Sequence, residues 1–187
     1  MKDEKSLVWT LEDRKHVFST RVFKIAELKS QSPKGENGTF TVMDAPDWAI
    51  IIPVLQKNDE DYFVMVRQWR HGSQELSLEF PGGVFEPGED GKNAAAREMQ
   101  EETGFTANNI EYAGAMSPNP AIMSNHVHFF IARDLVDTGK QNLDSDEFVD
   151  IELVPAKEVI EKMGRAPYVH ALMASALCFY LRESSRS

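Results

Sequence analysis

Apolar and polar positions change rhythm twice along the chain, and each change marks a different kind of element. In the first part they fall in short β-like runs: residues 6–9 continuing through 16–20, then 21–28, then 39–43. Their enrichment in β-branched and aromatic residues predicts strands, and Lys34-Gly35-Glu36-Asn37-Gly38 is the turn between the last two runs. A sheet this small is marginal by itself, so residues 1–46 are expected to lean on the rest of the chain or on a second subunit. The second rhythm begins at Trp48, where WAIIIPVL over 48–55 is a continuous apolar run suited to a buried strand. Further strands are expected over 62–68 (YFVMVRQ), 76–80, 110–115, 126–132 (HVHFFIA) and 149–154. Helical spacing over about 91–103, 156–163 and 168–182 predicts three helices, so 47–187 reads as one larger α/β domain. No internal repeat is visible, and low complexity is confined to the tail 182–187.

The helix expected at 91–103 is chemically unusual. Glu98, Glu101 and Glu102 stand at i, i+3 and i+4, so their carboxylates share one face, while Ala95 and Met99 can pack inward. Gly104 sits where a left-handed C-cap would end the helix. The carboxylates therefore crowd the last two turns, where the helix dipole opposes each by about 0.3–1 kcal/mol. Like charges at i,i+4 add roughly 0.2–0.5 kcal/mol. Arg97 can offset one of the three carboxylates. A hard divalent cation would reverse the sign of this arrangement, because such ions take oxygen ligands and dominate the local field.

Composition narrows the function classes. The chain has 187 residues and a formal charge of −10, with apolar and charged fractions ordinary for a globular protein. This acidity argues against general affinity for nucleic acid or an anionic membrane, both of which want clustered Lys and Arg. Cys178 is the only cysteine, so no intrachain disulfide can form, and its apolar helical surroundings predict a core position. There is no N-terminal apolar leader and no run long enough to span a bilayer, which makes the cytoplasm the default expectation.

Residues 83–105 also match a known motif. Gly83, Glu89, Arg97-Glu98, an apolar Met99, Glu101-Glu102, Gly104 and an apolar Phe105 reproduce in register the box of the Nudix family, which the chain resembles. The resemblance extends outward. Glu79-Phe80-Pro81-Gly82-Gly83 and Val66-Arg67-Gln68-Trp69-Arg70 are similar to segments of the ADP-ribose pyrophosphatase group, and Pro120 lies where that group carries a proline. It implies an α/β/α sandwich with a mixed sheet, preceded by a small antiparallel β block that commonly exchanges across a homodimer. It also implies hydrolysis of the pyrophosphate bond in nucleoside diphosphate sugars with Mg2+, or Mn2+ in its place. ADP-ribose is the first substrate expected, and GDP-mannose-like sugars come next. Two alternatives stay open: other X-linked nucleoside diphosphates (dinucleoside polyphosphates, FAD, capped RNA), and a non-catalytic nucleotide-sugar sensor.

Splitting a pyrophosphate needs neutralised phosphate oxygens, an activated water and a positioned leaving group. Glu98 and Glu102 are the first choice as metal ligands, with Glu101 either a third ligand or the partner of Arg97. Gly82 is expected to add its backbone carbonyl, a role the resemblance supports. Glu89 reaches a metal through water or anchors Arg97, whose planar fork suits it to orient carboxylates. The resemblance places the general base in the acidic segment 142–148, singling out Glu147 with Asp146 as runner-up. For substrate, Arg70 is the better phosphate candidate and Arg67 the second, since residues three apart on a strand face opposite ways. The lead-in motif adds Glu79. Trp48 either stacks on a base or packs in the core, and Ser117-Pro118-Asn119-Pro120-Ala121 with Asn125 is a candidate loop over the sugar phosphate. His126 and His128 are expected on one strand face, as a polar surface or ligand contact rather than a zinc site.

Overall fold

The computed structural model describes residues 4–143, 145 and 147–185. They form two compact units, one of residues up to Pro46 with Ser117–His126, the other of Asp47–Met116 with Val127 onward.

In the first unit a 3-10 turn, Glu4–Leu7, precedes β1 (Thr10–Ser19), β2 (Lys24–Gln31) and β3 (Asn37–Asp44). These make an antiparallel sheet in the order β1-β2-β3. The predicted run 6–20 is thus turn first and strand second; β2 lies three residues later than the expected 21–28, and β3 extends the expected 39–43 at both ends. The segment 117–126 belongs here as well: Met43 donates its backbone N–H to the Ile122 carbonyl at 2.7 Å, and Ser124 Oγ donates to Asp44 at 2.6 Å. Trp9 meets Phe40 edge-on, with ring centroids 5.1 Å apart.

The second unit holds β4 (Trp48–Lys57), β5 (Glu60–Arg70), β6 (Glu75–Glu79), β7 (Gly82–Val84), α1 (Gly91–Thr103) and β8 (Phe105–Met116). It continues with β9 (Val127–Asp137), β10 (Val149–Pro155), α2 (Ala156–Lys162) and α3 (Ala171–Ser184). Its sheet runs β10-β5-β4-β9-β8, with β6 beside β5 and β7 beside β4; β4 and β9 are parallel and the other pairs antiparallel. Alternation along β4 explains why the apolar run 48–55 is buried on both sides. Ile50, Ile52 and Val54 face α2 and α3, with Phe63, Met65, Val159, Met173 and Leu177. Ala49 and Ile51 face α1, with Ala95, Met99, Phe130 and Ala132. The result is an α/β/α sandwich with a mixed sheet, as expected.

Three expectations are corrected. β7 is a short strand the sequence reading missed, because a Gly-Gly pair carries no strand propensity. Cys178 is exposed rather than core: Met173, Ala176, Leu177 and Tyr180 occupy the inward stripe of α3, and Cys178 falls outside it. His126 precedes β9 and belongs to the other unit, so the two histidines are not neighbours on one strand; His128 alone sits on β9, with Nε2 3.1 Å from Asp47 and its ring against Phe85.

Candidate active site

α1 starts and stops by local rules. Asp90 caps it, its side chain accepting from the N–H groups of Lys92 and Asn93 at 3.0 and 3.2 Å. Gly104 ends it at φ 70°, donating its N–H to Gln100 O at 2.8 Å. With Ala94, Ala95 and Met99 packed on the sheet, the helical phase carries Glu98 and Glu102 to the margin of the contact, where both are buried. Two glycines make room. A Cβ on Gly83 would collide with the Glu98 carboxylate, and one on Gly82 would collide with the Ala49 carbonyl across the β4–β7 pair.

Arg97 is the centre of the charge arrangement. Its Nε and Nη2 donate to Glu89 at 3.0 Å each, Nη1 donates to Glu98 at 2.8 Å and to Glu101 at 3.0 Å, and Nη2 also reaches the Val84 carbonyl at 3.1 Å. It therefore touches two of the three box-face carboxylates, not one as expected. These bonds, Glu89 first, raise its pKa far above the usual range, and the same fork lowers that of Glu89. Glu102 has no cation hydrogen-bonded to it. It accepts a hydrogen bond from the Gly82 N–H at 2.9 Å, yet burial, with the charges of Glu98 and Glu147, pushes it up to about 8. Burial likewise raises Glu98, against the opposing pull of Arg97, and Glu101 and Glu147 add to the rise.

The Glu147 carboxylate therefore lies close enough for its charge to act on both Glu98 and Glu102. A loop far along the chain has been brought to the box. Its runner-up, Asp146, lies outside the described residues.

Arg70 and Arg67 part company, as alternation required. The Arg70 charge acts on Glu102, and its guanidinium is held by Glu79 through Nε at 2.8 Å and Nη2 at 2.6 Å. Arg67 is on the sheet face of Phe63 and Met65, away from α1, and pairs with Glu152. Glu79, expected at the substrate, is 1% exposed and directs both carboxylate oxygens to Arg70, with His170 Nδ1 3.1 Å from Oε2, the oxygen that also accepts from Arg70 Nη2. Burial opposes its ionisation, but Arg70 and His170 together outweigh that and hold its pKa down at about 2. The sequence reading missed His170, which carries no motif; only the start of α3 brings it to Glu79. Trp48 is part-buried and packs against the core, the second of its two readings. Pro120 is exposed and lies in the first unit.

The donor set suits a hard cation in type: carboxylate and backbone oxygens, with the Glu98 and Glu102 carboxyls buried and their pKa values raised chiefly by that burial. Among the described residues, no three acidic or His/Cys side chains already converge as a cage. Glu98 is turned to Arg97 and Glu102 to the Gly82 N–H.

A NUDIX domain model matches residues 45–173. The chain belongs to the Nudix family. It is 30% identical over 165 residues, 88% of each chain, to an ADP-ribose pyrophosphatase of Bacillus subtilis (strain 168). It is 30% identical over 148 residues, 78% of this chain and 77% of the other, to a methanol dehydrogenase activator of Bacillus methanolicus. The crystal structure of an ADP compounds hydrolase superposes with a TM-score of 0.83 over 97% of this chain and 99% of that one, at 24% identity, a likeness of fold. As a Nudix protein with an intact box, the chain is a hydrolase of the pyrophosphohydrolase type. The family generally works with Mg2+ or Mn2+ at the box. No helix among the described residues is long and apolar enough to cross a membrane.

Proposed function

We propose that this Nudix hydrolase splits the pyrophosphate bond of nucleoside diphosphate sugars, ADP-ribose before GDP-mannose-like sugars, giving a nucleoside monophosphate and a sugar phosphate. The observation that carries the chemistry is that Glu98 and Glu102 lie buried on one face of α1, Glu102 bonded to the Gly82 N–H, with the Glu147 charge acting on both and the Arg70 charge on Glu102. Glu98, Glu102 and the Gly82 carbonyl would hold Mg2+, with Glu101 a third carboxylate or the partner of Arg97. When bound, the ion supplies charge to neutralise phosphate oxygens and to acidify water. Arg97 fixes the side chains of Glu98 and Glu101 through its fork. Arg70, clamped along one edge by Glu79, keeps its remaining N–H groups for a phosphate oxygen. Glu147 takes the proton of the attacking water.

The substrate rests on the lead-in motif and on the similar ADP-ribose pyrophosphatase. A broader reading, other X-linked diphosphates, is favoured by the methanol dehydrogenase activator among the relatives, since similar sequences carry differently named activities. Purified protein with Mg2+ is incubated with ADP-ribose, GDP-mannose, a dinucleoside polyphosphate and FAD, and phosphate is followed after phosphatase treatment. Fastest release from ADP-ribose is the expected result. Preference for FAD or the polyphosphate selects the broader reading, and no release from any of them sinks the assignment.

Residues 1–46 are proposed to serve in a homodimer, with exchange of the block between subunits. Every residue of β1 is exposed, including Leu11, Val17 and Phe18, which leaves the small sheet with apolar area to cover.

A further inference from the structure

Arg67 was expected at a phosphate, and the structure puts it on the other face of the sheet from the box. The surface there is concave. A cavity of about 490 Å³ lies between β10, α2 and the α2–α3 connection, with Arg67, Glu152, Lys162, Arg165, Pro167 and Tyr168 among its walls. That volume falls within the roughly 300–1,000 Å³ of small-molecule pockets and exceeds what a bare phosphate fills.

The charges in it are not balanced. Arg67, Lys162 and Arg165 face two carboxylates, Glu152 and Glu158. Both carboxylates are already occupied. Glu152 accepts from Arg67 Nε. Glu158 accepts from Lys162 Nζ at 2.9 Å and from the Tyr168 hydroxyl at 3.1 Å, which together lower its pKa. Arg165 has no acidic partner among the described residues. Its backbone is nonetheless fixed: its N–H donates to Lys162 O at 3.0 Å, and its carbonyl accepts from the Tyr168 N–H at 2.7 Å. Arg165 is exposed, so its guanidinium faces the mouth of the cavity from a backbone held in place. Beside it, Val154, Pro155, Ala166 and Pro167 supply an apolar wall.

We infer that this pocket is a second binding site, for a small organic phosphate whose phosphate meets Arg165 and whose ring lies on the Pro155–Pro167 wall. The planar fork of Arg165 matches phosphate oxygens, and Lys162 and Arg67 add positive field without giving up their carboxylates. A cationic ligand would meet three like charges and two carboxylates already paired. The pocket involves none of the box residues, so occupancy needs no divalent ion and is separable from the proposed hydrolysis.

The test uses the full chain without added metal, titrated with ribose 5-phosphate, inorganic phosphate and ribose. Binding is read from the NMR signals of the Arg67 and Arg165 Nε–H groups and the Tyr168 ring. Ribose 5-phosphate is expected to shift these signals saturably, ribose not at all. Arg165→Glu should weaken binding by at least about tenfold while leaving the melting temperature and turnover of the best substrate unchanged. The site is overturned by still signals up to about 10 mM ligand, by equal affinity in the variant, or by shifts confined to α1. Inorganic phosphate binding as tightly as the sugar phosphate would overturn the assignment to an organic phosphate.

Discussion

Glu79 and Glu102 are both almost fully buried, yet their acidities move in opposite directions. Glu79 has Arg70 and His170 hard against it and is held at about 2, whereas Glu102 has one backbone N–H, carboxylate neighbours and the Arg70 charge without its hydrogen bonds, and stands at about 8. Burial penalises both; the charged partners decide. The consequence for stability follows from the sign. A carboxylate raised from about 4.5 to about 8 stabilises the fold fully below 4.5 and loses that contribution as pH rises to 8. The melting temperature of the metal-free protein is therefore expected to fall between pH 5 and 8, and Glu102→Gln to flatten that slope; an equal slope in the variant places its origin elsewhere. Mg2+ should oppose the fall, with proton release at pH 7 visible as a buffer-dependent calorimetric heat. Glu147 is tested by turnover. Glu147→Gln should lower kcat by about 10²–10⁴-fold with Mn2+ affinity nearly intact, and wild-type turnover would move the base to Asp146 or to no side chain. The carboxylate pattern was legible because it defies helix electrostatics. The pairing of Glu79 with His170 was not, since the two share no local spacing.

At the scale of elements, α1 and β7 make the site together. The helix was readable almost to the residue, because Gly104 is a local stop signal and Ala95 and Met99 recur at helical spacing; the Asp90 cap was found in the structure. β7 was not, because only its pairing with β4 makes a strand of Gly82–Val84. This division of labour separates two variants. Asp90→Ala should cost about 1 kcal/mol in urea unfolding with little change in kcat, as a lost cap. Gly83→Ala directs a methyl group into the Glu98 carboxylate, so it should weaken Mn2+ binding by about 10–100-fold while changing stability less than the cap variant. Reversed effects would mean that Gly83 serves the fold rather than the site. Arg67 belongs to this scale too: alternation along β5 separated it from Arg70, but only the position of α1 tells which face is the box face.

For the whole molecule, the proposed homodimer predicts a mass near twice 21.1 kDa by light scattering at micromolar concentration, and Phe18→Asp should shift it toward one chain. A monomer in the wild type rules the dimer out. Residues 117–126 are the clearest case of a long-range decision, since they join β3 through Met43 and Ser124 across most of the larger unit's sequence. By itself the sequence determined the α/β order of elements, the limits of α1, and a helix face whose carboxylates lack a counter-charge. Periodicity, capping and dipole effects act within a few residues, so they are written locally. The tertiary structure alone decided that Arg97 holds Glu89, Glu98 and Glu101 at once, that Glu79 serves Arg70, and that the Glu147 charge is felt by Glu102. Those outcomes depend on which strands pair and which face each helix covers, and burial sets how strongly each charge is felt.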